Sequence, residues 1–251
     1  EFGQKRHSGV IERARLVVGD EAFTYFTELA RDESHRARAL YGRALVRLFH
    51  APGATTYPDL RRTCEDLSAA LASNPSFWQA RLERAVILGE LGHYGGALRD
   101  ITRVIEARPQ SAWLLRKRAG WLLRTGDEQR QHAKYDSAIE YYRRATADCD
   151  KAVDDTPRES DSVVLRARLR LRLNQFEQAL DDLEAARRLR PSLNPVELEA
   201  TALIGMGEFD RAIRRINGDI HGPQTLSELR LYRGIAFLGK GWYRRAIDDF
   251  L

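Results

Sequence analysis

The sequence predicts an all-α solenoid of antiparallel helix pairs, because one short pattern returns about every 34 residues. The pattern is a small residue, any residue, an aromatic residue, two further residues and an alanine. A helix pair of that length cannot bury its apolar face alone and must stack on its neighbours. The pattern begins at Gly92, Asn174, Gly207 and Gly241, and its alanines are Ala97, Ala179, Ala212 and Ala246.

Helix-breaking residues and apolar periodicity divide the chain into repeat units. In the clearest unit, the first helix runs from Phe77 to Leu91, Gly92 caps it in the left-handed conformation, and Pro109 follows the second helix. We expect degenerate leading helices over 1–35. The array over 36–251 comprises units at about 36–75, 77–110, 111–157, 160–191, 193–223 and 226–251, of which the last is truncated.

Two units depart from this plan. The first has a Pro/Gly loop, residues 51–57, between its helices. The unit 111–157 contains about 14 additional residues. We expect its first helix to end at Gly126-Asp127 and a long polar second helix to run from Gln129 or Ala133 to Asp154, so that the second helix is longer by about two turns.

The turn pattern, the alanine and the proline spacing resemble the tetratricopeptide repeat family over about residues 37–251. This resemblance implies a right-handed superhelix whose first helices line a concave groove for a peptide or an extended segment of a partner. Arg81 departs from the family, since an aromatic residue is usual there. The Lys and Asn with which one subtype clamps the C-terminal carboxylates of chaperones are also absent. Arg116 and Gly120, for example, stand at those phases.

A pair of opposite charges also recurs, with an arginine on the first helix and an aspartate 16 residues later on the second in the regular units. In one unit the signs are exchanged together, which independent surface charges have no reason to do. We predict one ion pair per unit, in which the planar guanidinium holds a carboxylate through two hydrogen bonds. The predicted pairs are Arg43–Asp66, Arg84–Asp100, Arg118–Asp148, Arg166–Asp182, Glu199–Arg215 and Arg233–Asp249.

The resemblance also implies which residues bind a ligand. Family geometry places Trp113, Arg116, Arg124, Arg168 and Arg172 in the centre of the groove, with apolar residues towards both ends. A protein-interaction scaffold with such a groove would bind an extended acidic-hydrophobic segment of a partner, whose carboxylates contact the arginines.

Two other functions stay open. The net charge of +5 and pI near 9.4 suit a basic helical-repeat RNA binder. Such a binder needs aromatic residues among the groove arginines, and Trp113 and Tyr41 are the candidates. The chain is alternatively a regulatory or docking part of a larger enzyme or co-chaperone. It ends at Leu251 within a predicted helix and without a polar cap, so we expect it to be part of a longer protein.

Catalysis, a cofactor and a membrane span are not expected. No apolar run approaches about 18 residues and no signal peptide is recognisable. We expect a cytoplasmic location. Cys64 and Cys149 form no metal-binding motif and are expected to be reduced thiols. The histidines lie at predicted turns or helix surfaces, and Gly239-Lys240-Gly241 lacks the spacing of a phosphate loop.

Overall fold

The structure, a computed structural model, describes residues 20–50, 57–109, 111–219 and 226–251. Within these ranges it contains helices and turns and no β-strand, which confirms the predicted all-α class. The chain divides into two compact bodies, Glu1–Pro109 and Gln110–Leu251, here called the N-terminal and C-terminal body. Most of the predicted leading helices (residues 1–19) and of the predicted Pro/Gly loop (51–56) lie outside the described residues.

The N-terminal body is a stack of helices that each pack on the next. Residues 20–29 form α1, followed by α2 (Arg36–His50), α3 (Tyr57–Ser73), α4 (Trp78–Glu90) and α5 (Tyr94–Ala107). Alanines without exposed surface lie where helices cross, and leucines fill the space beside them. The buried cluster of this body includes Leu40, Ala44, Leu67, Ala70, Leu71 and Ile87.

The C-terminal body contains four helix pairs. These are α6 (Ala112–Gln131) with α7 (Tyr135–Asp155), α8 (Ser160–Arg172) with α9 (Phe176–Leu189), α10 (Val196–Gly205) with α11 (Phe209–Asn217), and α12 (Leu226–Gly239) with α13 (Tyr243–Phe250). The first helices contact one another in the order α6, α8, α10, α12. No comparable contact joins the second helices among the residues that the structure describes. The first helices therefore lie on the inner side of this stack.

The recurrent turn pattern follows from the backbone conformation at its first position. Gly92, Gly207 and Gly241 have φ of 76°, 77° and 73°, and Asn174 has φ of 58°. This left-handed conformation ends the first helix, and glycine or asparagine adopts it with little steric cost. The alanine of the pattern has no exposed surface, as at Ala97, because two helices meet there.

The predicted helix break at Gly126-Asp127 is wrong. Helix α6 continues through both residues to Gln131, and the turn lies at Ala133, whose φ is 58°. Gly126 is needed for packing instead of for a turn. A Cβ atom at this position would lie 2.5 Å from Cε1 of Tyr142, a side chain that is almost fully buried.

The additional residues of this unit are shared between both helices. Helix α6 has 20 residues and α7 has 21, whereas α8 and α9 have 13 and 14. The expectation that only the second helix is longer is therefore also wrong, since each helix is longer by about two turns. The turn keeps the repeat pattern as Ala133-Lys134-Tyr135 and Ala138, with alanine in the place of glycine.

We predict that Gly126→Ala destabilises the protein by about 1–3 kcal/mol through overpacking against Tyr142, although alanine favours helices. Gly120→Ala is the matched control in α6, because a Cβ there meets nothing within 4 Å. The control should stabilise by up to about 1 kcal/mol. Urea unfolding measures both, and equal stabilisation by the two substitutions would show that Tyr142 does not need the glycine.

A second substitution tests the turn between α6 and α7. Ala133→Gly should stabilise by about 0.5–1 kcal/mol, because glycine removes the steric cost of the left-handed conformation at the price of a more flexible unfolded chain. Ala147→Gly, at an exposed position within α7, should destabilise by about 1 kcal/mol. Thermal unfolding compares the two, and destabilisation by both would place the turn elsewhere.

Candidate functional site: arginine clips and the inner groove

The residues of each predicted ion pair lie in contact, and most pairs share one geometry. Nε and Nη2 of Arg84 donate to the two carboxylate oxygens of Asp100 at 2.7 and 2.9 Å. Arg166 holds Asp182 in the same way at 3.1 and 2.8 Å, and the Asp182 side chain is 4% exposed. The same two-bond contact joins Arg43 to Asp66, Arg118 to Asp148 and Arg233 to Asp249.

Several of these arginines also contact the preceding helix pair. Nη1 of Arg84 donates to Oγ of Ser68 at 3.1 Å, and Nη1 of Arg166 donates to Oδ1 of Asp150 at 2.9 Å. Each of these acceptors lies 16 residues before its arginine. We call an arginine with both contacts an arginine clip, since it joins three successive helices. Arg43 with Thr27 and Arg233 with Asn217 also make the second contact.

The unit with exchanged signs keeps the clip with the charges reversed. Glu199 on α10 accepts hydrogen bonds from Arg215 on α11 and from Arg187 on the preceding α9. Arg215 is held further by Asp219 and donates to Oδ1 of Asn194 at 2.8 Å. The joint exchange of signs in the sequence thus reflects a contact that spans two helix pairs.

The clips have a structural consequence and a functional one. A buried carboxylate is costly to desolvate, so removing its arginine leaves an uncompensated charge in the core. The fork geometry therefore fixes the register of the helices that it joins. The functional consequence is that the clip arginines are not available to a ligand.

Two of the five predicted ligand-binding residues are already paired within the C-terminal body. The Arg116 guanidinium lies 3.0 Å from both Glu159 and Asp161, between α6 and α8. Arg172 lies 2.7 Å from Asp127, and joins the same two helices further along. These arginines link neighbouring first helices, so an acidic ligand would have to displace internal carboxylates to reach them.

Asp127 is the centre of a small polar network that the sequence did not reveal. Burial acts to raise the pKa of Asp127, but hydrogen bonds from Arg172 and Tyr142 outweigh it and lower that pKa. Burial, followed by the hydrogen bond that its hydroxyl donates to Asp127, raises the pKa of Tyr142 to about 12. The network ties the extension of α6 and α7 to α8.

The other three predicted residues remain accessible. Arg124 on α6 and Arg168 on α8 are exposed, and neither has an ion-pair partner among the residues that the structure describes. Trp113 is 41% exposed, with Nζ of Lys117 5.7 Å from its ring centre. Arg124 acts electrostatically on Asp127, and Arg168 acts on Glu197. The inner side of the C-terminal body, formed by α6, α8, α10 and α12, is here called its inner groove, and two of its helices carry two exposed guanidinium groups and one exposed indole.

Two acidic residues on the inner helices were not among the residues predicted from the sequence. Glu197 on α10 stands two residues before Glu199, the same phase that Arg116 occupies before Arg118. Burial, followed by the nearby carboxyl group of Glu228 on α12, raises the pKa of Glu197. The phase relative to the clip residues was the signal that could have found them.

Several kinds of chemistry have no support in the described part of the chain. No group of three or more His, Cys, Asp or Glu there could hold a metal ion. Cys64 and Cys149 are free, and burial raises the pKa of both thiols, so neither is an activated nucleophile. None of the described helices combines the length and apolarity that crossing a bilayer requires.

The fold is shared with known repeat proteins. Residues 65–112 match the family model of the tetratricopeptide repeat, and no curated protein matches the sequence significantly. A tetratricopeptide repeat protein from Parabacteroides merdae ATCC 43184 is 16% identical, with a TM-score of 0.65 over 98% of this chain and 88% of that chain. The thermophilic repeat protein TTC0263 of Thermus thermophilus is 17% identical, with a TM-score of 0.52 over 90% and 99%.

A third solved structure is YrrB, described as a tetratricopeptide repeat protein with an unusual peptide-binding site. It is 16% identical, with a TM-score of 0.53 over 74% of this chain and 89% of that chain. The predicted resemblance to the tetratricopeptide repeat family is confirmed, and the chain has the fold of a tetratricopeptide repeat solenoid.

The clip makes a testable prediction about charge exchange. Arg233→Asp alone should cost about 3–5 kcal/mol, because the Asp249 side chain is 5% exposed and would lose its partner. Adding Asp249→Arg should recover a good part of this loss, since the third partner, Asn217, is neutral and can donate instead of accept. Urea unfolding of the two single variants and the double variant gives the coupling free energy.

The same charge exchange at the Arg166–Asp182 pair serves as the comparison. Its exchange should recover less, because Asp150 would then face a second carboxylate at position 166. If the Arg233 and Asp249 double variant is no more stable than the sum of its single variants predicts, the two side chains are not coupled.

Proposed function

We propose that this chain is a protein-interaction scaffold that binds an extended segment of a partner protein in the inner groove of the C-terminal body. The carboxylates of the segment contact Arg124 and Arg168, and an apolar side chain packs on Trp113. Guanidinium groups suit this role because they hold carboxylates through paired, charge-assisted hydrogen bonds.

One observation carries this proposal. Arg116 and Arg172 are neutralised by internal carboxylates, whereas Arg124 and Arg168 on the same helices are exposed and without an ion-pair partner in the described ranges. Ion pairing within the chain therefore leaves two positive groups on adjacent first helices. Adjacent helices are about 8–10 Å apart, which a few extended residues span.

The fold supports the broader function. Tetratricopeptide repeats act generally as interaction scaffolds, and one similar structure is described as having a peptide-binding site. At 16% identity that protein supports the use of this fold for peptides, and not the position of a site in this chain. Intrinsic catalysis is not part of the proposal, because the described residues offer no metal cluster and no activated thiol.

The test uses a displayed library of random twelve-residue peptides selected on the full chain. We expect the selected peptides to be rich in Asp or Glu and in Leu or Ile. The double substitution Arg124→Glu with Arg168→Glu should weaken the binding of a labelled selected peptide at least tenfold, as measured by fluorescence anisotropy. The reason is that each lost charge-assisted hydrogen bond is worth about 1.5–3 kcal/mol. Surface charge changes cost little stability, so the thermal midpoint should stay nearly constant.

The matched control is Arg143→Glu with Arg144→Glu, which makes the same change in net charge at exposed positions of α7. It should leave the affinity within about twofold, because screening weakens distant charges at physiological salt. Peptide binding that survives the Arg124 and Arg168 reversals contradicts the proposed site. Failure to select any peptide, together with binding of a labelled single-stranded RNA, would favour the RNA-binding alternative.

A further inference from the structure

The inner surface of the C-terminal body continues beyond the free arginines into an acidic and apolar region. We call it the α10–α12 face, formed by Glu197 on α10 and by Glu228, Leu231, Ile235 and Leu238 on α12. The three apolar side chains are 51%, 39% and 44% exposed. Their spacing of four and three residues puts them on one side of α12.

The two carboxyl groups of this face lie near each other on helices that pack directly, and neither has an ion-pair partner among the described residues. Glu228 is close enough to Glu197 to raise its pKa. At the corresponding helix positions between α6 and α8, the structure has an opposite-charge contact between Arg116 and Asp161. Like charges in contact are unfavourable unless a proton or a positive group neutralises them.

The surroundings of Glu197 do not remove this repulsion. Burial and the nearby carboxyl group of Glu228 raise the pKa of Glu197. The Arg168 guanidinium on α8 acts in the opposite direction but does not reverse the shift. A cation supplied by a ligand would be attracted by both carboxylates, because their electrostatic potentials add at a point between them.

We propose that the α10–α12 face binds a stretch of a partner protein in which a lysine or arginine stands beside apolar residues. The basic side chain lies between Glu197 and Glu228, and the apolar residues pack on Leu231, Ile235 and Leu238. Charge complementarity selects this occupant, because an acidic or purely apolar segment would leave both carboxylates without an ion-pair partner.

This inference rests on the proposed function, because the same segment would run on from Arg168. Neighbouring first helices are about 8–10 Å apart, and an extended chain advances about 3.3 Å per residue. One or two helix steps therefore correspond to about three to six residues. The partner segment should carry an acidic residue, then a basic residue three to six positions away, with apolar residues next to it.

The test uses the full chain and the same library of displayed twelve-residue peptides. Peptides selected on the unsubstituted chain should show the acidic–basic–apolar order. Replacing the basic residue of a selected, labelled peptide with glutamine should weaken binding to the unsubstituted chain about tenfold. The same change in the peptide should not alter its affinity for the variant with Glu197→Gln and Glu228→Gln. The four affinities form a double-mutant cycle that isolates the contact between the basic residue and the two carboxylates.

Matched variants separate this contact from general effects. Glu177→Gln with Glu184→Gln changes the same charge at exposed positions of α9 and should leave the cycle unchanged. The double substitution Leu231→Ser with Ile235→Ser should weaken binding of the peptide. Ile139→Ser, at an exposed apolar position of α7, should leave that binding unchanged. Thermal unfolding of the Glu197 and Glu228 variant should show no loss of stability, since the substitutions remove a repulsion.

The outcomes distinguish this inference from the function on which it rests. Selected peptides that are acidic, sensitive to Arg124 and Arg168, and indifferent to a basic residue overturn the α10–α12 inference and leave the proposed function standing. Failure to select any peptide overturns both. Sedimentation that shows a dimer of the unsubstituted chain, lost in the Leu231→Ser and Ile235→Ser variant, overturns the inference by making a second copy the occupant.

Discussion

Each arginine clip holds a carboxylate with less than a tenth of its side chain exposed, and the arrangement of the helices depends on this contact. Desolvation makes a buried charge unfavourable unless its partner is accurately placed, so a shift of one helix along another would break two hydrogen bonds. The additional bond from Arg84 to Ser68 extends this constraint to the preceding pair. Apolar packing tolerates small displacements more easily than this fork does.

The same chemistry determines which charges remain for binding. Arginine is abundant in this chain, but its clips and its bridges between inner helices use many of the guanidinium groups, as at Arg116 and Arg172. Arg124 and Arg168 remain accessible to carboxylates from outside. Exposed guanidinium groups without an ion-pair partner in the described ranges therefore lie at particular positions along α6 and α8, which the net charge of the chain does not indicate.

The extension of α6 and α7 shows how a longer repeat stays within the same architecture. Two further turns on each helix preserve the pairing of Arg118 with Asp148, although the residues are 30 apart in sequence instead of 16. Tyr142 fills the notch at Gly126, and its hydroxyl reaches Asp127. A glycine that resembles a turn in the sequence thus serves close packing, and the turn falls at Ala133.

The sequence by itself determined the helix pairs, the turns at Gly92, Gly207 and Gly241, and the partners within each repeat, because these depend on local backbone conformation and fixed spacing. It could not place the turn at Ala133, since alanine rarely signals a left-handed residue. Only the tertiary structure decided that Arg116 and Arg172 are paired and that Glu197 lies near Glu228. Those contacts join different repeats, and their distances depend on how the helix pairs stack, which spacing along the chain does not specify.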